Sequence, residues 1–119
     1  MIFGKKKKET QPQGEKTILH NSDYKRGKNR LLECPCCGNF TIDDGTVGYG
    51  EPLEVITDIC RVCFWEFDLV AQCNPDMAGG ANRVSLNNAK ENYNKFGATE
   101  QKFKDKVRPP LLEELPENN

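Results

Sequence analysis

Two short stretches decide the fold of this chain: Cys34-Pro35-Cys36-Cys37-Gly38 and Cys60-Arg61-Val62-Cys63-Phe64-Trp65-Glu66. Each contains a C-x-x-C pair, and 22 residues separate the two pairs. Two residues between thiolates let a tight turn direct both sulfurs at one ion, and two such turns complete a tetrahedron. The spacing therefore predicts one bound zinc ion with four ligands, which are Cys34, Cys37, Cys60 and Cys63.

The predicted zinc site is structural rather than catalytic. Four thiolates close the coordination shell and leave no position for an activated water. The binding free energy of the metal would then be folding free energy. The competing interpretation is a disulfide framework, or a thioredoxin-like redox pair at Cys34 and Cys37. The sequence disfavours it, because Cys34 does not sit in a βαβ pattern and no secretory signal is visible.

Two cysteines remain outside the predicted ligand set. Cys36 competes poorly with Cys37, because only one residue would separate it from Cys34. We expect Cys36 to lie beside the site without binding the metal. Cys73 is expected to be a small buried apolar residue, as unpaired cysteines usually are.

Composition limits the size of the fold. The chain has 119 residues, of which 36% are hydrophobic and 29% charged, so we expect one domain with a small core. Something besides apolar burial must stabilise such a core, and the cysteines are the candidates. No apolar stretch approaches the roughly 18 to 20 residues of a membrane span, and no signal peptide is visible. We therefore expect a cytoplasmic protein, where C-x-x-C pairs more often bind metal than form disulfides.

Charge divides the chain unevenly. Residues 1–33 carry nine Lys/Arg against four Asp/Glu, a net charge of +5, whereas residues 34–119 carry eight against fourteen, a net charge of −6. This pattern predicts a flexible basic arm over residues 1–30 and a cysteine-rich domain over residues 31–112. Residues 113–119 form an acidic tail after Pro109-Pro110, and we expect the tail to lie on the surface or fray.

Short strands are predicted around the cysteine pairs, over residues 31–34, 39–43 and 54–59, the last from its β-branched residues. The predicted fold class is small α+β: zinc-ribbon-like β-hairpins held by the four-cysteine site, followed by one or two C-terminal helices. Phe64, Trp65 and Phe67 alternate faces after the second pair, and at least two of them should be buried.

One helix is predicted between an N-cap at Ser85 and a C-terminal Gly97. One face of this helix carries an apolar stripe of Leu86, Ala89, Tyr93 and Phe96. We expect the stripe, with Tyr93 and Phe96 foremost, to pack near Phe64 or Phe67.

Several separated motifs resemble one known family. In chain order they are C-P-C-C-G at 34–38, C-R-V-C-F-W-E at 60–66, G-G-A-N-R-V-S-L at 79–86, Ala89, N-Y at 92–93, F-G-A at 96–98 and V-R-P-P at 107–110. Together they resemble the bacterial cysteine-rich CPCC family from about residue 34 to 112. The resemblance implies a compact zinc-ribbon-like domain with a helix after Gly79-Gly80, and it implies no reaction. This chain departs from the family pattern at Arg61, where proline is commoner, and in a long excursion over residues 45–52.

The expected function follows from the absence of a catalytic set in the sequence. We expect a non-enzymatic zinc-binding module that acts by protein–protein interaction, and its acidic body suits a basic partner. An immunity or antitoxin-like protein that masks a basic toxin would be one form of this. The alternative is a nucleic-acid-binding adaptor that uses the basic arm, with Lys5–Lys8, Lys25, Arg26, Lys28 and Arg30 tracking phosphates. A thiol redox protein is the third interpretation.

Overall fold

The computed structural model describes residues 23–46 and 55–119. A two-stranded antiparallel hairpin comes first, and helices follow it, which confirms the predicted small α+β fold. The strands are β1 (Leu32–Glu33) and β2 (Phe40–Ile42). Within residues 55–119 the α-helices are α1 (Leu69–Cys73) and α2 (Leu86–Phe96), followed by 3₁₀ helices at Gln101–Lys106, Leu112–Glu114 and Pro116–Asn118.

The hairpin encloses the first cysteine pair. Leu32 lies opposite Ile42 and Glu33 opposite Phe40, with an irregularity in the pairing between Leu32 and Glu33. All three residues of β2 are buried, so the strand lacks the alternation of a half-exposed sheet. Thr41 explains why, because its hydroxyl points at the cysteine cluster while its neighbours face the core. The predicted strands 31–34 and 39–43 are therefore present but shorter than expected.

The strand predicted over residues 54–59 is wrong over its described part, 55–59. Only an isolated bridge forms there, between Ile59 and Glu66, supported by the Phe67 N–H that donates to the Asp58 carbonyl at 2.9 Å. The pairing stops because Asp68 already adopts the N-cap position of α1, where its carboxylate accepts from the Val70 N–H at 3.1 Å. Tertiary context thus overrides the β-propensity of this stretch.

Helix α2 has the predicted ends. The Ser85 hydroxyl accepts a hydrogen bond from the Asn88 N–H at 3.1 Å, and Gly97 ends the helix with φ of 85°. Leu86 and Ala89 are buried in the core.

The far end of the α2 stripe differs from expectation. Tyr93 packs against the core, but Phe96 is only half-buried and does not belong to the apolar cluster of the described residues. Phe64 packs instead on Phe103 of the Gln101–Lys106 helix, with ring centroids 4.3 Å apart. The ring contact of Phe64 is thus with Phe103, beyond Gly97, and Tyr93 is the large residue of the stripe that packs on the core that includes Phe67.

Trp65 lies at the centre of the core and is completely buried. Its indole N–H donates to the Gln72 side-chain oxygen at 2.9 Å, and the Gln72 amide donates to the Tyr24 hydroxyl at 2.8 Å. The Tyr24 ring meets Phe67 edge-on at 5.0 Å. Since Trp65 and Phe67 are both buried, the expectation that at least two of the three aromatics are buried is confirmed.

Both ends of the described chain pack on the body. Arg26 forms an ion pair with the buried Asp44, and the Asn29 N–H donates to the Asn119 side-chain oxygen at 3.1 Å. Residues 23–30, which composition assigned to the arm, thus contact the body through polar groups and through the Tyr24 ring. Residues 113–119 lie largely on the surface, as expected, with Glu114 buried among them. The rest of the predicted arm, residues 1–22, lies outside the described residues.

No helix in the described ranges is both long enough and apolar enough to cross a membrane.

Candidate metal centre

The two C-x-x-C pairs form the same turn twice, and we call these turns the first and second knuckle. In the first, the Gly38 N–H donates to the Cys34 carbonyl at 2.9 Å. In the second, the Phe64 N–H donates to the Cys60 carbonyl, also at 2.9 Å. Each turn requires a left-handed residue after its second cysteine. Gly38 takes φ of 82° there, and Phe64 takes φ of 75°.

Backbone and side-chain donors surround the sulfurs. The Cys36 N–H lies 3.4 Å from Cys34 Sγ, and the Val62 N–H lies 3.4 Å from Cys60 Sγ. The Thr41 hydroxyl donates to Cys60 Sγ at 2.9 Å. Such donors stabilise thiolate over thiol and orient the sulfurs, as the outer shell of a metal site does.

The four knuckle cysteines bring their sulfurs to one point. All four Sγ atoms, from Cys34, Cys37, Cys60 and Cys63, lie within 4.8 Å of one another. Two contacts cross between the knuckles: Cys34 to Cys63 at 3.6 Å and Cys37 to Cys60 at 3.7 Å. Zinc–sulfur bonds of about 2.3 Å in a tetrahedron place sulfurs about 3.8 Å apart. A disulfide needs about 2.05 Å, so the geometry is that of a four-sulfur metal site.

Electrostatics within the cluster favour a cation. Cys34, Cys60 and Cys63 are buried, and Cys37 is half-buried. Burial raises the pKa of Cys34 well above its usual range, whereas hydrogen bonds from the neighbouring thiols, Cys34 first, lower the pKa of Cys60. Four thiolates confined at this distance cannot all be charged without a compensating cation. A divalent metal ion supplies that charge, and the four cysteines could hold one.

The segment after α2 is fastened to the second knuckle. The Thr99 N–H donates to the Cys63 carbonyl at 2.9 Å, and Thr99 is 1% exposed. The Asn92 side chain of α2 donates in turn to the Thr99 carbonyl at 2.8 Å. Helix α2 is therefore positioned by the knuckle itself as well as by its apolar face.

A second fastening lies on the outer side of this knuckle. The Arg108 N–H donates to the Arg61 carbonyl at 3.3 Å. The Arg108 guanidinium binds both oxygens of Glu114 at 2.8 Å, and this pairing lowers the pKa of the Glu114 carboxyl. Arg61 also forms an ion pair with Asp58, three residues before it in the chain, at 2.9 Å.

The other two cysteines stay out of the sulfur cluster. Cys36 is 8% exposed and contributes its side chain to the apolar core, in agreement with the expectation that it lies beside the site. Cys73 closes α1 and is half-buried rather than fully buried. Neither belongs to the group of residues that could hold a metal ion.

Several residues that support the site were missed by sequence reasoning. Thr41, which donates to a sulfur, and Thr99, which ties the second knuckle, carry no local signal. The Asn82 side chain accepts from the Glu66 N–H at 2.9 Å and donates to the Glu66 carbonyl at 2.8 Å. The Asn82 side chain thus satisfies the backbone N–H and carbonyl of Glu66, as a neighbouring strand would, beside the second knuckle. Its position within the G-G-A-N-R-V-S-L motif was the available signal.

The fold and the site define the class of protein: a small metal-binding domain in which two knuckles bring four thiols together. The chain belongs to the cysteine-rich CPCC family, whose model matches residues 32–114. A search of curated proteins found no match to this chain.

Proposed function

We propose that this chain is a zinc-binding module without catalytic activity, in which the zinc ion is structural. The observation that carries the proposal is the convergence of Cys34, Cys37, Cys60 and Cys63 within 4.8 Å. Tetrahedral four-sulfur sites bind zinc or iron, whereas ions that prefer oxygen ligands, such as magnesium and calcium, bind thiolates poorly. A shell of four protein sulfurs is complete, which fits a structural role.

The adjacent carboxylates Asp43 and Asp44 also fit a non-enzymatic role, because both make contacts within the fold. Asp44 is 3% exposed and pairs with Arg26. Asp43 accepts a hydrogen bond from the Gly45 N–H at 2.8 Å. Side chains committed to the fold in this way are poorly placed to transfer protons to a substrate.

We further propose that the module acts by binding another protein. Residues 34–119 carry eight Lys/Arg against fourteen Asp/Glu, so the metal-bearing body is acidic and favours a basic partner. Masking of a basic protein such as a nuclease, in the manner of an immunity protein or antitoxin, would use this charge. A metal-stabilised domain suits that role, because a rigid binding surface loses little entropy on association.

Elemental analysis tests the metal. Protein purified under reducing conditions without chelator should contain one zinc per chain. Cys63→Ser should lose the zinc and unfold the domain, whereas Cys73→Ser, the matched control, should retain both metal and fold. Iron in place of zinc would contradict the zinc assignment, and metal-free folded protein would contradict the metal site altogether.

Affinity purification with mass spectrometry tests the partner. The zinc-loaded chain should recover a basic protein that rebinds in purified form, and Cys63→Ser, which loses the folded body, should not recover it. Removal of residues 1–30 also removes the Arg26–Asp44 pair, so the arm is tested by deleting residues 1–22. Binding of purified RNA or DNA that vanishes with this deletion would contradict the proposal and favour a nucleic-acid adaptor.

A further inference from the structure

An exposed pair of leucines stands on a short turn after Pro109-Pro110. Leu111 is 46% exposed and Leu112 is 77% exposed, the highest value among the exposed large apolar residues of the described chain. Leu112 begins the 3₁₀ helix Leu112–Glu114. We call residues 109–113 the spur.

The spur is fixed rather than loose. Glu114 is 5% exposed, and its carboxylate binds the Arg108 guanidinium through both oxygens at 2.8 Å. The same carboxylate accepts from the Leu111 N–H at 2.8 Å. From the other side, the Asn29 side chain donates to the Glu113 carbonyl at 2.9 Å. Apolar side chains on a backbone that is already ordered can be buried by a partner with little further loss of entropy.

The C-terminal segment that carries the spur is negatively charged. Residues 109–119 contain three glutamates and no lysine or arginine. Glu114 is neutralised by Arg108, but Glu113 and Glu117 are exposed. The segment therefore favours an occupant that presents an apolar hollow with a positively charged edge.

Such a hollow exists on the same molecule. A groove of about 430 Å³ runs beside the second knuckle, and we call it the knuckle groove. Ile59 and Phe64 line its apolar part, and Arg61 and Lys106 line its edge. The Arg61 side chain is 56% exposed, and Lys106 is exposed as well. Arg61 and Asp58 form an ion pair with each other, so Lys106 is the lining cation for which the described residues show no ion pair.

We propose that two copies of this chain pair, with the spur of each copy seated in the knuckle groove of the other. The Arg108 N–H bonds the Arg61 carbonyl, so the base of the spur touches the wall of the groove on one molecule. Neighbouring complementary surfaces allow a twofold arrangement in which both spurs and both grooves are used. Such an interface closes at the dimer and leaves no free end for further growth. The pairing does not depend on the identity of the metal or of any other partner.

Sedimentation velocity of the zinc-loaded full chain over a range of concentrations tests the pairing. The chain should sediment as a dimer that dissociates on dilution. Leu112→Ala should weaken the dimer by about tenfold or more, as expected for an apolar anchor at the centre of an interface. Val70→Ala is the matched control, because Val70 is 52% exposed and lies outside the spur and the groove; it should leave the dimer unchanged.

A charge exchange identifies the two surfaces. Lys106→Glu and Glu113→Lys should each weaken the dimer by about tenfold, because each places like charges across the interface. The double variant restores opposite charges and should recover most of the affinity. Circular dichroism and zinc content should be unchanged in all variants, since both side chains are exposed. A wild-type chain that is monomeric at every concentration, or a dimer that the double variant does not restore, would overturn the proposal.

Discussion

Phe64 has the backbone conformation in the second knuckle that Gly38 has in the first, with φ of 75° against 82°. Both residues follow the second cysteine of a pair, and both donate their N–H to the carbonyl of the first cysteine. Glycine adopts this conformation freely, whereas an aromatic residue is strained in it. The second knuckle therefore contains strain that the first does not.

This difference predicts an unusual order of stabilities at Phe64. Phe64→Gly and Phe64→Ala both remove the ring contact with Phe103, but only glycine relieves the backbone strain. We expect the glycine variant to be more stable than the alanine variant by about 1 kcal/mol in chemical denaturation of the zinc-bound protein.

The first knuckle supplies the reverse control. Gly38→Ala should cost about 1 kcal/mol, and the loss is due to the backbone alone because a Cβ there would meet nothing within 4 Å. Equal stability of the two Phe64 variants would mean that the second knuckle relaxes in solution.

The interaction free energy between Arg26 and Asp44 should not depend on pH near neutrality. The Arg26 guanidinium lowers the pKa of Asp44 to about 2. Because the folded pKa lies below the unfolded value of about 3.9, the stabilisation is complete above pH 4 and is lost only as the pH falls toward 2. A double-mutant cycle with Arg26→Ala and Asp44→Asn should give about 1 kcal/mol, reduced because Arg26 is partly exposed.

The cycle should give the same coupling at pH 6 and pH 8, measured by urea denaturation. A coupling that falls between these values would show that another group controls the pair.

The buried Gln72 predicts a large loss from a single side-chain change. Gln72→Leu removes the donor to the half-buried Tyr24 hydroxyl and the acceptor for the Trp65 indole, which is completely buried. We expect a cost of about 2 to 3 kcal/mol. Lys95→Ala on the exposed side of α2 should cost under about 0.5 kcal/mol. Similar small losses for both would mean that Trp65 finds another partner.

The sequence predicted the features that depend on neighbouring residues. The cysteine spacing brought the four sulfurs together, and Ser85 and Gly97 set the ends of α2, because a turn or a cap is encoded within a few positions. Long-range polar contacts were not accessible in this way. Nothing near Asp44 indicates that it recruits Arg26, and nothing near Glu66 indicates that the Asn82 side chain pairs with it.

The error in the strand predicted over residues 54–59 also has a long-range cause. Val55, Ile56 and Thr57 are β-branched, but the only bridge in the described part of this region lies further on, at Ile59. At Phe64 the ring contact is with Phe103 rather than with the predicted Phe96. In a domain with so few apolar residues, long-range packing rather than local propensity determines whether such a strand or contact forms.

Metal removal followed by the fluorescence of Trp65 tests the central claim most directly. Trp65 is the only tryptophan in the sequence, it is completely buried, and its carbonyl accepts a hydrogen bond from the Cys60 N–H of the second knuckle at 2.9 Å. Under reducing conditions a chelator should expose Trp65 and unfold the domain, and zinc should restore the native spectrum with an end point at one equivalent. A chain that keeps Trp65 buried and its near-ultraviolet circular dichroism unchanged after complete removal of metal would contradict the account.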